Sequence, residues 1–129
     1  MSGSKKQSDF CQIRIVNAGI RPVNITNIGW EAGLFKNKIY IIQMLGFPGF
    51  DNVPKKLQEG EEATFMIPFN LNGNGDDWII RFPQTVTEKS PKSINRIKAV
   101  VFTSIGHSFK VKVEKNLIKK LKESLKANH

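Results

Sequence analysis

The sequence predicts a mainly β fold, an antiparallel β-sandwich with one amphipathic helix at its C-terminal end. Three observations carry this. Apolar residues recur at every second position through most of the chain up to residue 113, the spacing of strands with one buried face. Clusters of Gly, Pro and Asn separate these runs, as tight connections between short strands require. Only after residue 114 does the apolar spacing become helical. Six to eight short strands and a single terminal helix suit a sandwich; a small barrel is the other compatible architecture.

The elements follow in order. Cys11, Ile13 and Ile15 alternate with Gln12, Arg14 and Val16, a half-buried strand. Asn17, Gly19 and Pro22 supply the turn after it. Val23 and Ile25 resume the alternation, Asn27 breaks its phase, and Ile28 and Trp30 restore it, the signature of a bulge. Lys38 to Leu45 is apolar on both faces and rich in β-branched residues, which predicts a central strand. "GFPGFDNVP" is loop, and Gly60 centres a turn in "LQEGEE". Ala63, Phe65, Ile67 and Phe69 then mark a strand with Pro68 near its end or on an edge.

Beyond it, "DDWIIRF" reads as a short strand and "PQTVTEKSPKS" as polar loop. Arg96 to Ser104 and Phe109 to Val113 form a hairpin about Gly106. At the end Leu117, Ile118, Leu121 and Leu125 share one helical face, with Asn116 near the cap. A helix this short is marginal alone in water, so its stripe must be covered. Residues 10–127 thus form one domain including the helix at 115–127, and residues 1–9 read as a flexible leader.

A chain of 129 residues with 40% hydrophobic and 24% charged content suits a globular domain. Its formal charge of +9 is unevenly placed. Residues 1–88 hold nine basic and nine acidic residues, whereas residues 89–129 hold eleven basic residues against Glu114 and Glu123. The leader has two lysines and no apolar run behind them, unlike a signal peptide. No apolar stretch approaches the roughly 18 residues of a membrane span. The expectation is a soluble, cytoplasmic protein.

Catalytic chemistry finds little support. Cys11 is the lone cysteine, so no intrachain disulfide or thiolate cage can form, and its alternating position is that of a small buried residue. His107 and His129 are the two histidines, the first in the hairpin turn and neither inside a motif. No phosphate-binding or dinucleotide loop occurs. The nearest approach to a metal site is "NLNGNGDDWIIR", where Asn70, Asn72, Asn74 and Gly75 match the start of a calcium loop. The twelfth position, which wants a bidentate Glu, is Arg81. Asn and Gly serve equally well in a turn, which is how the segment reads. The sequence therefore predicts no enzyme, no cofactor and no metal.

Two residue sets remain as candidate binding surfaces. Phe47, Phe50 and Trp78 lie in or beside loops, either as exposed anchors for a protein partner or folded back over the ends of the sandwich. Lys110, Lys112, Lys115, Lys119, Lys120, Lys122 and Lys126 form a cationic C-terminal region able to meet phosphates of nucleic acid or an anionic membrane without reading sequence. This set contains no arginine and no interleaved aromatics, which base recognition uses.

Three segments carry a resemblance: "IRIVNAGIRPVNITNIGW" (13–30), "VPKKLQEGEEATFMI" (53–67) and "INRIKAVVFTSIGHSFKVKV" (94–113). In this order they resemble a diffuse group of small bacterial and prophage proteins with an immunoglobulin-like or fibronectin-like sandwich. The resemblance spans most of residues 12–125 and implies an immunoglobulin-like topology and no catalytic residue. The cysteine pair and intervening tryptophan of antibody domains are absent. The expected function is that of a non-catalytic interaction module of phage or mobile-element origin, binding a protein through loops or a strand edge. Sequence-independent binding of nucleic acid or membrane is the alternative.

Overall fold

A computed structural model of the chain describes residues 10–33, 38–70, 73, 75–88, 90–106, 108–112 and 115–128, with the side chains of residues 108, 110, 112 and 115 left out. The leader at 1–9, His107 and His129, and Asn72 and Asn74 of the calcium-like loop lie outside the described residues. The strands are β1 (Phe10–Val16), β2 (Val23–Ala32), β3 (Ile39–Ile42), β4 (Lys55–Leu57), β5 (Glu62–Pro68), β6 (Lys98–Thr103) and β7 (Ser108–Lys112). The helices are α1 (Trp78–Val86) and α2 (Lys115–Ala127), with a 3-10 turn at Pro91–Arg96.

All strand pairs are antiparallel. β1 and β5 form a small sheet in which Ile13 lies opposite Phe65 and Ile15 opposite Ala63. The larger sheet runs β3-β2-β6-β7. Since β6 lines β2 from Ile25 to Glu31, the other edge of β2 is shared, by β4 at Val23–Ile25 and by β3 at Gly29–Ala32. Alternate side chains of both sheets meet in one core: Ile13, Ala63, Phe65 and Ile67 from the small sheet, and Ile25, Ile28, Trp30, Ala99 and Val101 from the large one. Each large apolar side chain buried there contributes roughly 1.5–3 kcal/mol, and this is what the period-two pattern encodes.

Local devices fix the register. The ladder between β2 and β6 shifts between Ile25 and Asn27, the bulge that the broken alternation predicts, and the Thr26 hydroxyl donates to the Phe102 carbonyl there. Gly29 permits the close approach of β3, because a Cβ at this position would stand 2.6 Å from the Ile41 carbonyl oxygen. The turn after β1 is organised by Asn17, a buried amide. Its Nδ2 donates to the carbonyls of Arg21 at 2.9 Å and Leu57 at 3.0 Å, and its Oδ1 accepts from the Gly19 amide at 3.0 Å. The Asn17 main chain meanwhile bonds Glu61 and Gly60 in the turn before β5. One residue thus ties together the turn after β1, the end of β4 and the β4–β5 turn.

Three expectations need correction. Lys38 to Leu45 contains no central strand: β3 is four residues long and sits at the edge of the large sheet, paired with β2. Its second apolar face is simply exposed, with Ile42 57% accessible. The segment "VPKKL", to which alternation assigned no strand, contributes the short β4. The third correction concerns "DDWIIRF" and the polar stretch after it, where a helix replaces the expected strand, so the described residues hold two α-helices and not one. Trp78, Phe82 and Val86 recur at helical spacing and pack inward together with Pro83.

Pro83 explains why this helix is hard to see. A proline inside a helix removes the donor for the carbonyl four residues earlier, here that of Ile79. The Ser124 hydroxyl on α2 donates to the Ile79 carbonyl at 2.6 Å, so the second helix repairs the first. Ser124→Ala is expected to cost roughly 1–2 kcal/mol by orphaning that carbonyl. In a Pro83→Ala background, where the amide at position 83 is restored, the same change is expected to cost far less. A double-mutant cycle on urea unfolding measures the difference; additivity would contradict the repair.

Candidate functional site

Strand edges are the places where a β protein can add a partner, and native proteins usually blunt them. The outer edge of β5 is blunted twice. Pro68 lacks an amide, and Thr64 exchanges both main-chain bonds with Asp51: the Asp51 amide donates to the Thr64 carbonyl at 2.9 Å, and the Thr64 amide donates to Asp51 Oδ2 at 2.7 Å. That second bond holds the Asp51 carboxyl below the ordinary aspartate value; partial burial opposes the shift, and Lys55, 3.1 Å away, reinforces it. Because the folded-state pKa is depressed, the stabilisation is present above the unfolded pKa and is lost as pH falls through the folded one. Asp51→Asn is expected to cost roughly 0.5–1 kcal/mol at neutral pH, with the gap to wild type closing in acid. Urea midpoints at neutral and acid pH check this.

The other edges differ. β1 carries the exposed Arg14, paired across the small sheet with Glu62. β4 is three residues long. β3 pairs with β2 on one side, and the segment from Ile39 to Phe50 contains no charged residue. At the opposite edge of the large sheet, β7 pairs with β6 alone among the described strands. Phe109 and Val111 lie opposite Val101 and Ala99, which belong to the core, so they stand on the core-facing side of the sheet. They are nevertheless 53% and 41% exposed. Lys110 and Lys112 take the alternate register positions, opposite Val100 and Lys98.

The residues singled out from sequence fall in three places. Phe47 and Phe50 neighbour each other in the loop after β3, ring centroids 6.3 Å apart, the first half-buried and the second more open. Trp78 lies elsewhere, stacked between Phe82 at 4.5 Å and Phe69 at 5.6 Å and close to Trp30. Its position is half-buried against the core. On α2, Leu117 and Leu121 are buried and Ile118 and Leu125 pack against the core, as the apolar stripe requires. Lys119, Lys122 and Lys126 are exposed, whereas Lys120 is half-buried with its ammonium 5.7 Å from the centre of the Phe69 ring. The side chains of Lys110, Lys112 and Lys115 lie outside the described residues.

The calcium-like loop meets β5 on one side and α1 on the other. Arg81 pairs with Asp76 at 3.4 Å, and buried Asp77 accepts the Gly73 amide at 2.9 Å at the start of α1. Among the described residues no three His, Cys, Asp or Glu side chains gather as a metal would need. Cys11 is half-buried and packs against the core. No described helix is long and apolar enough to cross a membrane. Sequence reasoning missed the exposure of Phe109 and Val111, since their alternation reads as an inward face. No local signal reveals that these two side chains stay half-exposed. No family model, curated protein or solved structure matches the chain.

Proposed function

We propose that the protein is a non-catalytic interaction module that binds a protein partner at a strand edge of an immunoglobulin-like sandwich. The strand pairing supports the topology. β1 beside β5, and β3-β2-β6-β7 in that order, are the neighbours expected of strands B–E and C′–C–F–G in that architecture, whereas β4 departs from it by pairing with β2 and not with β5. The observation that carries the function is the contrast between edges: β5 is closed by Asp51 and Pro68, while β7 offers half-exposed Phe109 and Val111 beside an edge that no described strand pairs. Large apolar side chains left open on an edge strand are a hazard unless a partner uses them. Affinity capture from the native host tests the reading, comparing wild type with Phe109→Asp. A specific partner lost on substitution, with unchanged circular dichroism, supports it; equal capture by both proteins refutes it.

A second reading has its own observation. Lys119, Lys122 and Lys126 line one exposed stripe of α2, a surface able to contact nucleic acid or an anionic membrane through charge. Since Leu117 and Leu121 are buried in the core, α2 cannot lay its apolar face into lipid while the fold persists. Any such binding is electrostatic and must fall steeply with salt. Absence of retention on nucleic acid or anionic vesicles at low salt removes this reading.

A further inference from the structure

We infer that the open edge of β7 accepts an acidic, extended segment of a partner protein, with apolar and acidic residues alternating, as an added strand of the large sheet. This rests on the strand-edge reading above and names its edge and ligand. The edge reads Phe109-Lys110-Val111-Lys112, apolar and basic in alternation. Phe109 and Val111 stand half-exposed on the core-facing side, so a sixth strand with apolar residues on that side would cover them. The alternate residues of such a strand would occupy the register positions beside Lys110 and Lys112, where carboxylates match the charge.

Other occupants fit less well. A second copy would bring β7 against β7 and set lysine rows beside each other, and like charges across strands are destabilising. Nucleic acid could use the lysines, but it would leave the strand edge and both apolar side chains unused. An acidic–apolar peptide engages all three at once, main-chain bonds giving affinity and alternate side chains giving specificity. Residues 89–129, the part of the chain that contains β7, hold its whole net charge, and a basic surface speeds encounter with acidic segments.

The test uses the full chain and fluorescently labelled synthetic peptides. One alternates Glu and Val; a second has the same composition with all Glu before all Val; a third alternates Lys and Val; a mixed-sequence DNA duplex serves as polyanion. The alternating acidic peptide is expected to bind in the micromolar range and to slow amide exchange on β7. The block peptide and the lysine peptide are each expected to bind roughly tenfold or more weakly. Val111→Glu should remove binding without altering the far-ultraviolet dichroism or the melting temperature. Equal binding of the block peptide or of DNA would overturn the inference in favour of charge alone, and no binding of the alternating peptide would overturn it outright. If that peptide fails while Phe109→Asp still abolishes capture of a host protein, the ligand chemistry is wrong and the edge reading stands. If both experiments fail, both ideas fall.

Discussion

Asn17→Asp is expected to destabilise the protein by roughly 3–4 kcal/mol, and Asn17→Ala by about 2–3 kcal/mol, because a buried amide here satisfies three partners. The alanine variant removes two donated bonds and one accepted bond and leaves the carbonyls of Arg21 and Leu57 short of a donor. The aspartate variant keeps the shape and still accepts from Gly19. Its second oxygen, however, replaces the donor and sets a buried anion against those two carbonyls. The charged form is then disfavoured in the folded state and the introduced carboxyl takes a raised pKa. A group with a raised folded pKa contributes its stability below the unfolded value and loses it as pH rises through the folded one. The deficit of Asn17→Asp must therefore shrink in acid, whereas that of Asn17→Ala must not. Urea unfolding of both variants at neutral and acid pH separates the two, and equal deficits at both pH values would exclude the donor role of Asn17.

Asn17 also shows how much was legible. "NAGIRP" announces a turn from residue types alone, and the Gly19 amide bonded to the Asn17 side chain is that local chemistry. The bond to Leu57, forty positions away, is not local and leaves no trace in the pattern. The same division runs through the fold. The strands at 10–16, 62–68 and 98–103, the bulge at Asn27 and the terminal helix all follow from apolar spacing, because each buries one face against the shared core. Helix α1 was hidden by Pro83, whose cost is met by Ser124 on another element. β3 looked central because both its faces are apolar, yet neighbours and not composition decide whether a face is covered. For the candidate site the limit is sharper. The lysines and loop aromatics are visible as residue types, but the exposure of Phe109 and Val111 depends on how distant parts of the chain pack, which alternation does not encode.

Leu121→Ala is expected to cost about 2–4 kcal/mol, and the value decides whether α2 is part of the domain or a detachable basic arm. Leu121 is fully buried and sits in the same cluster as Ile13 and Phe65, so truncation leaves a cavity among close-packed side chains that relax only in part. Its neighbours on the helix predict a gradient: Leu117 is also buried, whereas Leu125 is only half-buried, so Leu125→Ala should cost clearly less than Leu121→Ala. Lys119→Ala and Lys122→Ala, on the exposed stripe, should leave stability within about 0.5 kcal/mol of wild type. A helix that bound partners by leaving the body would show the opposite pattern, with Leu121→Ala silent in unfolding and the lysine changes alone affecting function. Urea midpoints of the four variants read this directly. With α2 held in place, its exposed lysines act as a fixed charge on the folded body, and any binding through them must vary with salt without any change in helix content.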